Sequence, residues 1–139
     1  MKFQPDTPAG VNVVTRHEIG LVWVGATAYA HSLLLPWRGA VLPWDADGFD
    51  ALGAAHFERL LALAPELVIF GSGARLRFPP AAWLRGLIGE RIGVETMDTA
   101  AACRTYNVLV SEGRAVVAAL LVESGAGSGE TAKTFIMPG

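Results

Sequence analysis

A chain of 139 residues with 52% apolar and only 17% charged side chains has the material for one well-packed domain, and its mean hydropathy of +0.39 excludes extensive disorder. Eleven basic and thirteen acidic residues leave a formal net charge of -2. That balance exerts no pull on nucleic acid or an anionic lipid surface, so neither is expected as a partner.

One cysteine, Cys103, excludes an internal disulfide framework and fits a reducing cytoplasm. The only imidazoles are His17, His31 and His56, and none is at ligand spacing from another, so no metal and no cofactor is expected. The N-terminal residues Met1-Lys2-Phe3-Gln4-Pro5-Asp6 have neither the apolar run of a secretory signal nor the Arg/Ser-rich pattern of a transit peptide.

Residues 11–14 and 19–29 alternate as strands around Thr15-Arg16-His17-Glu18. The uncharged run 19–37 is long enough to cross a bilayer as a helix. Gly20, Gly25, Thr27, His31 and Ser32 interrupt it, and its β-branched residues favour strands, so membrane insertion is not expected. The pattern predicts strands over 21–28 and 32–35, closed by Pro36, and a short third strand near 40–42. Asp45 or Asp47 then caps a predicted helix running to about Leu63, with Phe49, Leu52, Leu60, Leu61 and Leu63 at near-helical spacing.

From Leu67 the order becomes strand, Gly-rich turn, helix, strand, helix, strand. Leu67-Val68-Ile69-Phe70 stops at Gly71-Ser72-Gly73, and Pro79-Pro80 opens a short helix with Trp83, Leu84, Leu87 and Ile88 on its apolar face. A second strand, 92–97, stops at Asp98-Thr99, which caps a helix carrying Ala102, Tyr106 and Leu109 inward, and the last strand is 115–122. Single helices between strands favour parallel pairing with right-handed crossovers. The predicted fold is a three-layer α/β domain over residues 1–124. It has a mixed central sheet, a parallel βαβαβ second half and a β-rich first third that extends or covers the sheet. Residues 125–139, rich in Gly, Ser and Thr, read as a mobile tail.

Several blocks carry a family likeness. Residues 92–99, 101–109 and Glu112-Gly113-Arg114, together with Pro65-Glu66-Leu67, Phe70-Gly71-Ser72-Gly73 and Arg77-Phe78-Pro79, resemble the signature of a small family of uncharacterised prokaryotic proteins. Mitochondrial respiratory complex I assembly factor 3 belongs to the same family. The resemblance implies a three-layer α/β fold and a role as an assembly factor, and it brings no catalytic residues with it.

Parallel strands open both βα junctions on one sheet edge, the usual ligand edge of α/β folds. The candidate crevice there comprises Gly71, Ser72, Gly73, Arg75, Glu95, Asp98 and Thr99. Backbone N–H groups of the turn and the helix start attract anions, whereas Glu95 and Asp98 repel them. The plainer readings are a tight strand exit for Gly71-Ser72-Gly73, a helix cap for Asp98-Thr99 and packing for Cys103. No spacing assembles a nucleophile, base and orienting acid, so no catalytic residue is assigned. The expected function is a non-enzymatic protein-binding or assembly-factor-like module with an unidentified protein partner; the alternative is a small-molecule binder or enzyme using the crevice.

Overall fold

The alternating pattern of the first third breaks at two glycines. Gly20 and Gly25 take φ of 81° and 59°, a left-handed conformation that L side chains rarely adopt, and each closes a tight turn. The result is an antiparallel meander of β1 (Val14–Glu18), β2 (Leu21–Val24) and β3 (Thr27–Tyr29). Two expectations are corrected. Residues 15–18 are strand rather than connection, with Thr15 and Arg16 on the exposed face, and the strand expected over 21–28 is two strands folded at Gly25-Ala26. This computed structural model describes residues 10–123, and the tail expected over 125–139 lies outside them.

A second sheet contains β4 (Leu33–Pro36), β5 (Leu42–Pro43), β6 (Leu67–Gly71), β7 (Gly93–Met97) and β8 (Val116–Leu120), in the order β5-β4-β8-β6-β7. β6 runs parallel to both β7 and β8, while β4 is antiparallel to β5 and β8. β4 and β8 are buried at every position, as continuous apolar runs covered on both faces must be. On one face Leu34, Val68, Phe70, Val117 and Ala119 meet Phe57 of α1 (Ala54–Glu58), Leu87 of α2 (Arg85–Gly89) and Trp44. On the other, Leu33, Leu35, Ile69, Ala118 and Leu120 meet Ala102, Cys103, Tyr106 and Val110 of α3 (Thr99–Ser111) and Val14, Val22 and Val24 of the meander. The fold is a three-layer α/β arrangement with a mixed sheet and a parallel β6-α2-β7-α3-β8 half. The meander covers one face rather than extending the sheet.

Two helix expectations change. The helix expected up to Leu63 is three short pieces, Phe49–Ala51, Ala54–Glu58 and Arg59–Leu63, and the first two start at extended Gly48 and Gly53 rather than at Asp45 or Asp47. Gly53, at φ of -158°, interrupts the helical path that the apolar spacing implied. Ile88 is 60% exposed, because α2 is a five-residue helix that buries only Leu87.

α3 joins the layers. Its start is fixed by Asp98, whose side chain accepts from the Ala101 N–H at 2.8 Å. The Tyr106 hydroxyl reaches the carbonyls of Asn12 (2.9 Å) and Pro36 (3.1 Å). Asn107 behaves as one more strand residue: its Oδ1 accepts from Val14 N at 2.9 Å and its Nδ2 donates to Val14 O at 2.8 Å. Replacing Asn107 by Leu leaves both groups of Val14 unpaired and is expected to destabilise the fold by about 1–3 kcal/mol. A lowered chemical-denaturation midpoint reads this out, and an unchanged midpoint contradicts it.

Candidate functional site

The parallel strands end on one edge, and the chain closes that edge with its own polar groups. Gly71 lets α3 approach β6 closely, because a Cβ there would lie 3.0 Å from Ala102 Cβ, Leu120 Cδ2 and Thr99 Cα. Ser72 N then donates to Met97 O (2.8 Å), Gly73 N to Thr99 Oγ1 (2.9 Å) and Ala74 N to Glu123 Oε1 (3.2 Å). Thr99, 4% exposed, returns its N–H to Gly73 O and its hydroxyl to Leu121 O at 2.8 Å. The N–H groups of Ser72, Gly73 and Ala74 in the turn, and of Thr99, Ala101 and Ala102 at the helix start, thus already have acceptors within the chain.

The loop that follows is pinned from beneath. The Ser72 hydroxyl, fully buried, donates to Arg75 O (2.7 Å) and accepts from Arg77 N (3.0 Å). The Arg77 guanidinium donates to Glu123 Oε2 (2.8 Å) and Ser72 O (3.2 Å) and lies 5.0 Å from the centre of the Phe49 ring. Gly73 has φ of 99°, and a Cβ there would collide with the Glu123 carboxylate. With Arg77 turned inward, its neighbours Leu76 and Phe78 are 52% and 66% exposed.

Beside this loop, a pocket of about 260 Å³ lies between the β1–β2 turn and the start of α3. His17, Glu18, Ile19 and Gly20 line one side, Asp98, Thr99 and Ala100 another, and Gly73, Ala74, Leu121, Val122 and Glu123 complete it. Of the crevice residues expected from sequence, Gly73, Asp98 and Thr99 line this pocket. Gly71 and Ser72 are buried outside its lining, and Arg75 and Glu95 are exposed, also outside it. Sequence reasoning missed His17, Glu18 and Glu123. Their signals were a polar pair before the turn glycine Gly20 and a charge ending the buried 115–122 run.

Burial sets the chemistry of the titrating groups. It pushes the Cys103 thiol up to about 12, so this cysteine remains a neutral packing group rather than a nucleophile. It raises Tyr106 as well. His17 is held below its ordinary value, chiefly by desolvation, with Arg104 acting in the same sense and Asp98 and Glu18 against it. Its Nδ1 is buried with no hydrogen-bond partner among the described residues. Among those residues no His, Cys, Asp and Glu side chains form a group of three or more able to hold a metal ion, and no helix is long and apolar enough to cross a membrane.

The architecture and closed sheet edge define a class of small three-layer α/β domains with a mixed sheet. A Bordetella parapertussis protein of known crystal structure shares it, with a TM-score of 0.78 and 36% identity over 84% of this chain and 100% of that one. Residues 14–121 match the family described as protein of unknown function (DUF498/DUF598), and the chain belongs to that family. An uncharacterized protein of Rhodobacter capsulatus is 44% identical over 87 residues, which are 63% of this chain and 66% of that protein. NADH dehydrogenase (ubiquinone) 1 alpha subcomplex assembly factor 3 of Bos taurus is 30% identical over 125 residues, covering 88% of this chain and 67% of that protein. The chain therefore spans about two thirds of the length of these two relatives.

His17 supplies a pH signature. Because its folded pKa lies below the ordinary 6.5, the unfolded chain takes up this proton first as pH falls. The contribution of the neutral form is complete above 6.5 and is lost as pH falls from there through the folded value. The melting temperature of the wild type is expected to drop more steeply across that window than that of His17→Gln. Parallel curves would contradict the assignment.

Proposed function

We propose that this chain is a non-enzymatic protein-binding module of the assembly-factor kind, which docks a protein partner through the loop 74–80. The observation that carries the reading is the pinning of Arg77 between Ser72, Glu123 and Phe49, which holds Leu76 and Phe78 out in water. A loop ordered in advance loses little conformational freedom on binding, and large apolar side chains held on it gain from being covered. The Bos taurus relative, named as an assembly factor, supports the same class of role.

The reactive groups at the edge and along α3 argue against an enzyme. The Ser72 and Thr99 hydroxyls donate to backbone carbonyls, and Cys103 and Tyr106 are kept protonated by burial. None is an activated nucleophile.

Affinity capture from the native host, comparing wild type with the double variant Leu76→Ser/Phe78→Ser, tests the proposal. Both side chains are already solvated, so the variant is expected to melt within a few degrees of wild type, while the partner recovered by wild type is lost. A partner retained at undiminished yield by the folded variant would overturn the docking surface.

A further inference from the structure

Among the described strands, every sheet edge but one is blunted against pairing with another chain. β5 is two residues long and ends in Pro43, which has no N–H to offer. In the meander, β3 has three residues, while β1 shifts register between Val14 and Arg16 and has both main-chain groups of Val14 taken by Asn107. β7 has none of these devices. It lies at the edge of the large sheet, pairs with β6 in unbroken register from Gly93 to Met97, and contains neither proline nor lysine.

The outward groups of β7 follow from one bond. Ser72 N donates to Met97 O, so Met97 turns its main-chain groups toward β6. Alternation points those of Gly93 and Glu95 the same way and those of Val94 and Thr96 to the open side. The backbone bonds made outside the ladders include none at Val94 or Thr96. On the α3 side of the sheet Glu95 stands beside Ile69, exposed and without an ion pair among the described residues.

A second copy of this chain is a poor occupant for such an edge. Antiparallel pairing of all five residues about a two-fold axis sets Val94 opposite Thr96 and Glu95 opposite Glu95. Because Glu95 turns its main-chain groups to β6, that central pair is of the closer, non-hydrogen-bonded kind, in which like charges repel. A strand with a basic residue at the same place meets the opposite charge instead.

We propose that the open edge of β7 takes an extended segment of a protein partner as a sixth strand, with a lysine or arginine opposite Glu95. The N–H and C=O groups of Val94 and Thr96 supply the attachment, and Glu95 supplies the preference for a basic residue. The site is separate from the loop 74–80 and stands whether or not that loop docks a partner.

Amide NMR of the full chain, titrated with capped peptides, tests this. The probes are Thr-Val-Lys-Val-Thr, the same peptide with Glu in place of Lys, and the lysine peptide with its internal amides N-methylated. The lysine peptide is expected to shift the Val94 and Thr96 amides and to slow their exchange with deuterium. The glutamate peptide is expected to bind about two- to fivefold more weakly, the scale of one cross-strand ion pair, and the methylated peptide not at all. Glu95→Lys, which alters no main-chain group, is expected to reverse the order of the two peptides. Thr96→Pro removes an outward N–H that β6 does not use and is expected to abolish binding; if it does not fold, Glu95→Lys carries the test alone. No shift with the lysine peptide, equal binding of the methylated one, an unchanged peptide order in Glu95→Lys, or undiminished binding to folded Thr96→Pro would overturn the proposal. So would slow exchange of Val94 and Thr96 without peptide: if lost on dilution it assigns the edge to a second copy, and if independent of concentration to the chain itself.

Discussion

The buried hydroxyl of Thr99 is the contact on which the closed edge of the sheet depends. β6 and β8 end side by side there, and their exits leave Gly73 N and Leu121 O pointing at α3. Left unpaired and out of water, each would cost on the order of 1–3 kcal/mol. One hydroxyl satisfies both, accepting from the first and donating to the second, while its own backbone N–H closes on Gly73 O. The arrangement requires α3 to start directly against β6. That in turn requires glycine at 71, where any Cβ would press on Thr99, Ala102 and Leu120.

From this lock the surface features follow. With β8 fixed at Leu121, Glu123 comes under the turn, where it takes Ala74 N and the Arg77 guanidinium and holds the loop 74–80. The same residue lines the pocket beside the β1–β2 turn. Two surfaces of different chemistry, a loop with exposed apolar side chains and a pocket with carboxylates, thus rest on the position of one side chain. The strand edge that binds ligands in many α/β folds is here occupied by the protein's own groups.

The second half of the fold was legible because its signals are local. Apolar runs ending at Gly71-Ser72-Gly73 and at Asp98-Thr99 mark strand exits, and Asp98 is the cap that its position implied. The first third was less legible. Gly20 and Gly25 reverse the chain inside a run that reads as one continuous strand, and Gly53 splits a helix that the apolar spacing favours. The site was half readable for a further reason. Gly73, Asp98 and Thr99 could be placed at one edge from the βα pattern alone. That the turn N–H groups would be occupied could not, because their acceptors Met97, Thr99 and Glu123 lie far along the chain. His17 and Glu18 reach the pocket only because the meander folds back over α3, a tertiary contact with no local signal.

On the proposed reading, the exposed pair Leu76 and Phe78 on the loop 74–80 meets a protein. Replacing Phe78 by the photocrosslinking residue p-benzoylphenylalanine in the native host tests it directly, with the same residue at Thr27 on the exposed edge of the meander as the comparison. A discrete protein adduct is expected from position 78 and none of that mass from position 27. No adduct at 78, or the same adduct from both positions, would contradict it.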